Sequence, residues 1–305
     1  MIAVKAGTLR VPGANLHYEV RGSGPILLLI HPAGGDASAF DAIANDLVDR
    51  YTVVAYDRRG LSRSSLDDPA QRQLVETHAD DAHGLLALLG TEPAYVFGSS
   101  GGAAVGLELA ARHPAQVQTV VAHEPPAPGG ADRQRHDEIR ETYRRHGAFA
   151  ALQKIVAQAS PGFDDRESGV ELPTVPDGLK DRLAKAEFLF THELDMYDRY
   201  QPDMAALSAV ASRLVIAGGR AGREFAGYRS AAGWAQLLGT SIVGFPGGHV
   251  GYRSHPKAFA ERLREVLGAA TRPADALNGQ GIDVVVSRPA ISAQCRPLPG
   301  GGTGP

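Results

Sequence analysis

The chain has 305 residues, 43% of them hydrophobic and 21% charged, enough to bury the core of one α/β domain carrying an inserted subdomain. A net charge of −3 leaves no basic footprint for nucleic acid or an anionic membrane, so neither is expected as a partner. The single cysteine, Cys295, excludes an internal disulfide and fits a reducing compartment.

The opening Met1 to Gly7 lacks the apolar run of a signal peptide. Leu16 to Val20 alternates apolar and polar residues, then turns at Gly22-Ser23-Gly24-Pro25; with Leu9 to Val11 it reads as an antiparallel hairpin. Ile26 to Ile30 is a continuous apolar run, suited to a strand buried on both faces of a parallel sheet and too short to span a bilayer. Similar runs follow at Thr52 to Tyr56, Ala94 to Phe97, Val117 to Ala122, Leu214 to Ala217 and Ser241 to Phe245. Helical patterns fall between them, at Ala39 to Val48, Leu74 to Leu89, Ala103 to Arg112, Tyr228 to Leu238 and Pro256 to Leu267. Strands alternating with helices predict a doubly wound, mostly parallel sheet of eight strands. A cytoplasmic location is expected.

Two regions break the alternation. Residues 125–212 carry helical patterns at Arg133 to Arg145, Ala148 to Gln158 and Leu179 to Tyr200 but no buried-strand signal, which predicts an inserted helical cap between core segments 1–124 and 213–270. The tail 271–305 is rich in Gly, Pro and Ala and is expected to lie outside the core, ordered or not. The mixed charges of Arg133 to Arg145 read as a solvated helix face, and Glu193 and Asp195 as solvent-facing.

Gly98-Ser99-Ser100-Gly101-Gly102 fits G-x-S-x-G. The pattern is weak alone, but here it follows a buried strand and opens a helix, the context it requires. Such a turn lifts the serine oxygen above the sheet and aims a helix N-terminus at a developing oxyanion. The competing reading, a phosphate cradle, lacks the second glycine of a dinucleotide fingerprint and the lysine of a P-loop. Among 11 histidines, His249 stands out: it follows the last predicted strand and can reach the serine turn as a general base. His31, at a strand end, reads as orienting the neighbouring loop. His78, His83, His113, His136, His146, His192 and His255 read as surface residues. His123, next to Glu124, is open to either reading. No pair has convincing metal-ligand spacing, so neither a metal nor a cofactor is expected.

His31-Pro32-Ala33-Gly34-Gly35, Tyr56-Asp57-Arg58-Arg59-Gly60-Leu61-Ser62, the serine turn and Gly247-Gly248-His249 occur in an order that resembles the α/β-hydrolase superfamily over residues 8–268. The resemblance implies oxyanion donors at the backbone N–H groups of Ala33 and Gly101. Pro32 departs from the usual glycine, and having no N–H it cannot donate. Most of the superfamily carries the third catalytic residue, an Asp, after the strand matching Leu214 to Ala217; here Gly218 to Glu224 holds no Asp, and Ala221 occupies the expected place. Some branches, among them certain haloalkane dehalogenases and zearalenone-type lactonases, carry the acid after the strand matching Val117 to Ala122, where this chain has Glu124. A Ser100–His249–Glu124 triad is expected, with Glu224 as the rival acid. Dehalogenases and epoxide hydrolases of the superfamily use Asp as nucleophile, so Ser100 argues for acyl transfer. The small-molecule substrate expected is an ester or lactone. Phe188, Met196 and Tyr197, with Phe190 and Tyr200, are candidates to line its pocket. An acyltransferase or cyclase, or an inactive ligand-binding relative, are the alternatives.

Overall fold

The computed structural model describes residues 3–159, 165–171 and 179–270. The segment 271–305 lies outside the described residues. In chain order the strands are β1 (Lys5–Val11), β2 (Ala14–Gly22), β3 (Ile26–Ile30), β4 (Thr52–Tyr56), β5 (Ser65–Leu66), β6 (Ala94–Ser99), β7 (Val117–His123), β8 (Leu214–Gly219) and β9 (Val243–Phe245). They form one sheet of order β1-β2-β4-β3-β6-β7-β8-β9, and two-residue β5 pairs with β2. The eight strands of this path match the sequence expectation; β5 is an addition too short to leave a periodic signal. Pairing is parallel from β4 through β3, β6, β7 and β8 to β9, and antiparallel where β2 meets β1, β4 and β5.

The apolar runs read as predicted because alternate residues feed opposite faces. Leu28 and Ile30 join a buried cluster with α2 (Val75–Leu89), α3 (Gly101–Arg112) and α8 (Ala226–Leu237). Leu27 and Leu29 join a second with α1 (Asp41–Ala44), α9 (Gly251–Ser254) and α10 (Pro256–Ala270). The helix expected over Ala39 to Val48 is instead a 3₁₀ turn (Ala37–Phe40) leading into α1. Asp46 and Leu47 then donate three residues back, to Ile43 and Ala44, so the α-ladder is not continued.

Between β7 and β8 lie only helices among the described residues: α4 (Arg133–Ala159), α5 (Leu179–Phe188), α6 (Leu194–Arg199) and α7 (Met204–Ala209). Gly147, at φ 81°, kinks α4 at the junction of the two helices expected there. A π-helical turn, Leu189–Glu193, joins α5 to α6. That turn overturns one expectation: Glu193 is fully buried, because it lies on the same stripe as Leu189 and Tyr197, four residues to either side, and this stripe faces the core. His78 and His136 are also buried rather than superficial, His78 beside Gln73 and Arg58, His136 on Asp198. Asp195 remains exposed, paired with Arg199. No helix among the described residues is long and apolar enough to cross a membrane.

Candidate active site

Ser100 stands at the end of β6, at φ 52° and ψ −120°, one of three non-glycine residues with positive φ among the described residues; Glu124, at the end of β7, is another. Such conformations cost of order 1–3 kcal/mol and persist where surrounding structure imposes them. Here the strand-to-helix reversal is imposed by close approach. A Cβ on Gly102 would collide with the Ile30 carbonyl, so the first turn of α3 can lie against the end of β3 only with glycine there. Ser100 N–H donates to His123 O at 2.8 Å, tying the turn to β7. Glu124 is the next residue, and its own N–H donates to Ala217 O of β8 at 2.9 Å.

The Glu124 carboxylate is buried and fully engaged. His249 Nδ1 donates to Oε2 at 2.6 Å, and Gly219 N–H donates to Oε1 at 2.8 Å. Burial opposes its ionisation, but the His249 hydrogen bond, the adjacent imidazoles and the Gly219 amide outweigh that and lower its pKa. With Nδ1 committed as donor, His249 Nε2 is left free to accept a proton. The exit of β7 is stiff: Pro125 O accepts from Ser230 Oγ at 2.5 Å and Pro126 O from Trp234 Nε1 at 2.7 Å, both on α8. Glu224 is exposed and forms no hydrogen bond or ion pair with His249 among the described residues; its backbone carbonyl receives Arg229. The end of β8, followed by a loop that holds no Asp, thus supplies an amide to the carboxylate that comes from β7. Among the described residues no hydrogen bond joins Ser100 Oγ to His249; nucleophile–base contacts commonly tighten only when substrate binds.

Two peptide units have pinned carbonyls and free amides. Pro32 O accepts from Gly35 N (3.1 Å), His31 Nδ1 (2.8 Å) and Arg58 Nη2 (3.2 Å). Because the peptide is planar and trans, this fixes the Ala33 N–H on the opposite side. Ser100 O accepts from Ala103 N (2.9 Å) and Ala104 N (3.3 Å), which likewise turns the Gly101 N–H outward from the helix. Neither amide donates a hydrogen bond among the described residues, and Gly101 is buried, where an unpaired amide is rare. The residues can therefore offer two donors to an anionic oxygen near Ser100.

His31 is an orienting residue in the physical sense. Arg58 N–H donates to its Nε2 at 3.0 Å, so the proton sits on Nδ1 and points at Pro32 O. Burial, then the Arg58 charge, pushes its pKa down to about 3 and keeps it neutral. His123 is buried against Phe97, Phe245 and Phe259, with its pKa pushed down to about 4 by burial.

Sequence reasoning missed the brace behind this loop. Arg58 Nη2 donates to Glu193 Oε1 at 2.5 Å with both side chains fully buried, and Glu193 Oε2 accepts from Gly34 N–H at 2.6 Å. The helical insert thereby grips the residue next to Ala33. Lys185 on Asp36 (2.5 Å) adds a second link. The available signal was the acid's place in an otherwise apolar stripe.

The other candidate residues are spread out. Tyr197 lies against Gly101, close enough that a Cβ there would collide with its hydroxyl. Phe188 packs over Gly60 and the His192 ring. Met196 joins the buried cluster with α2 and α3, Tyr200 donates to Glu108 at 2.8 Å, and Phe190 packs within the insert on Tyr143. A cavity of about 500 Å³ is lined by insert residues alone, Arg133, Asp137, Arg140, Asp195, Asp198 and Arg199, with Arg140 and Arg199 paired to the aspartates and Arg133 donating to the Asp198 carbonyl. No group of three His, Cys, Asp or Glu among the described residues is arranged to hold a metal ion.

A family model for the alpha/beta hydrolase fold matches residues 25–157. With it, a 41% identity to a Bacillus subtilis hydrolase over most of both chains shows that this chain belongs to the α/β-hydrolase family and is a hydrolase. That relative is the uncharacterized hydrolase YraK of strain 168, aligned over 273 residues, 87% of this chain and 97% of the other. The zearalenone hydrolase of Cladophialophora bantiana is 28% identical over 276 residues, 86% of this chain and 96% of that protein. Among solved structures, a thermophilic esterase from Thermogutta terrifontis superposes with a TM-score of 0.70 at 21% identity, covering 89% of this chain and 100% of that one. The enol-lactonase from Burkholderia xenovorans LB400 gives 0.65 at 20%, covering 86% and 100%.

Proposed function

We propose that the protein is a serine hydrolase of carboxylic esters or lactones, working through an acyl-enzyme on Ser100. The observation that carries this reading is the buried, ionised Glu124 holding His249 by Nδ1 beside the strained serine turn. In the reaction, Ser100 Oγ attacks the carbonyl carbon while its proton passes to His249 Nε2. The oxyanion forms between the Ala33 and Gly101 amides. The intermediate collapses as His249 protonates the departing alkoxide, which for a lactone stays tethered as the opened chain. Water then attacks the acyl-enzyme by the same route, with His249 as base, and frees the acid and Ser100. The zearalenone hydrolase relative and the likeness of His123-Glu124 to the lactonase branch support including lactones. A serine where epoxide hydrolases carry Asp disfavours epoxide opening.

The test has two parts. A fluorophosphonate probe should label the wild type and fail to label Ser100→Ala. A panel of p-nitrophenyl esters of graded length beside a macrolactone series should then give turnover with at least one class. Absence of labelling in the wild type, with no turnover of either series, would reject the reading.

A further inference from the structure

The hydroxyl of Tyr197 lies over Gly101, where a methyl group could not fit. It comes from α6 of the insert, whereas the two free amides come from the core. The residue is 4% exposed and belongs to the buried cluster that also contains Met196 and Tyr200. The hydroxyl donates to Glu193 Oε1 at 3.4 Å, near the long limit for an O–H donor, and it also meets the Arg58 guanidinium, which can only donate to it. Glu193 does not depend on that bond: Arg58 already occupies the same oxygen at 2.5 Å, and Gly34 N–H occupies the other. A buried hydroxyl thus sits on the residue whose amide is one of the two free donors, with its proton weakly engaged and able to turn about the C–O bond.

We propose that Tyr197 is a third donor to the reaction's oxyanion, its hydroxyl swinging from Glu193 onto the developing negative oxygen beside the Gly101 amide. This rests on the serine-hydrolase reading above. Burial pushes its pKa up, so the phenol keeps its proton at any working pH and needs no base to serve as a donor. The Arg58–Glu193 pair underneath then has two jobs: it holds the Ala33 loop and it fixes where the phenol stands. Its worth in catalysis comes from a buried ring that is already in place, so that only the O–H has to turn as the charge develops.

The experiment compares wild type with Tyr197→Phe, which removes a single oxygen. It uses p-nitrophenyl acetate as substrate and a trifluoromethyl ketone as a mimic of the tetrahedral adduct. The expected result is a kcat at least about tenfold lower, KM within about twofold, and the inhibitor weakened in step with kcat; loss of one oxyanion donor typically costs ~10²–10³ in rate. A kcat within twofold of wild type, in a variant of unchanged melting temperature, would overturn the proposal while the serine reading stands. A wild type that neither turns over the ester nor reacts with a fluorophosphonate would overturn both. If Tyr197→Phe does not fold, 3-fluorotyrosine placed at 197 keeps the shape and sharpens the acid. Inhibitor affinity should then change at least twofold with ester KM constant, and an unchanged affinity would overturn the proposal.

Discussion

Burial pushes the Glu124 pKa up, but the His249 hydrogen bond, the neighbouring imidazoles and the Gly219 amide outweigh it and hold the pKa below the ordinary carboxylate value. A neutral amide at this position could not stabilise an imidazolium and would favour the wrong tautomer. Glu124→Gln is therefore expected to lower kcat by about 10³- to 10⁴-fold with the fold intact, by analogy with loss of the acid in serine triads. Glu224→Gln should leave turnover within about threefold, since that side chain is exposed. Parallel kinetics on the two variants check the assignment; the reverse ranking would contradict it. Gly227 offers a second probe. A Cβ there would strike the Glu124 carboxylate and come within 2.8 Å of His249 Nδ1. Gly227→Ala should cost about 1–3 kcal/mol of stability and on the order of 10² in kcat through misplacement of the pair, read by urea unfolding and turnover of the same samples.

The elements that matter most to the site are the loop after β3 and the helical insert that grips it. Arg58 and Glu193 are fully buried, so removing one partner strands the other's charge. Arg58→Met should destabilise by about 3–5 kcal/mol, whereas Lys185→Met, breaking a link nearer the surface, should cost no more than about 1 kcal/mol. Urea unfolding of both distinguishes them, and equal losses would show that burial does not set the difference. This brace also marks the limit of what the sequence discloses. Ser100 and Glu124 could be picked out because each directly follows a strand, and His249 because it lies in the loop after the last one, where chain order places side chains on one edge of a parallel sheet. Glu193 and Arg58 are 135 residues apart and meet only because the insert folds back over β3. A helix period places Glu193 on the apolar stripe, yet an acid in a stripe reads as solvated until its cation is known. His136 was hidden for the same reason, its partner Asp198 being on a different helix of the insert. The sheet was legible because buried parallel strands are unbroken apolar runs; β5, two residues long, has no such run.

Across the whole molecule, neutral histidines are buried near the site, and this sets its response to acid. Those of His31 and His123 have pKa values pushed down to about 3 and about 4, mainly by burial, against 6.5 for an ordinary histidine. Between those limits the unfolded chain binds protons that the folded one does not. Stability therefore falls as pH drops below about 6.5, by up to about 1.4 kcal/mol per pH unit for each group. Glu124, with its pKa lowered, adds in the same direction at lower pH: its contribution is present above the unfolded carboxylate pKa and is lost as pH falls through the folded one. Urea melts at pH 7, 6 and 5 should show this slope, and it should be shallower in His123→Leu, which removes one of the titrating groups. An identical slope in the two proteins would contradict the assignment of His123 as a buried neutral ring.

Mass spectrometry of the enzyme quenched during turnover of a p-nitrophenyl ester reads the acyl-enzyme itself. A single acyl adduct is expected on the peptide containing Ser100, formed with a burst of p-nitrophenol and absent from Ser100→Ala. An adduct on another residue, or steady turnover by Ser100→Ala at the wild-type rate, would contradict an acyl-enzyme on Ser100.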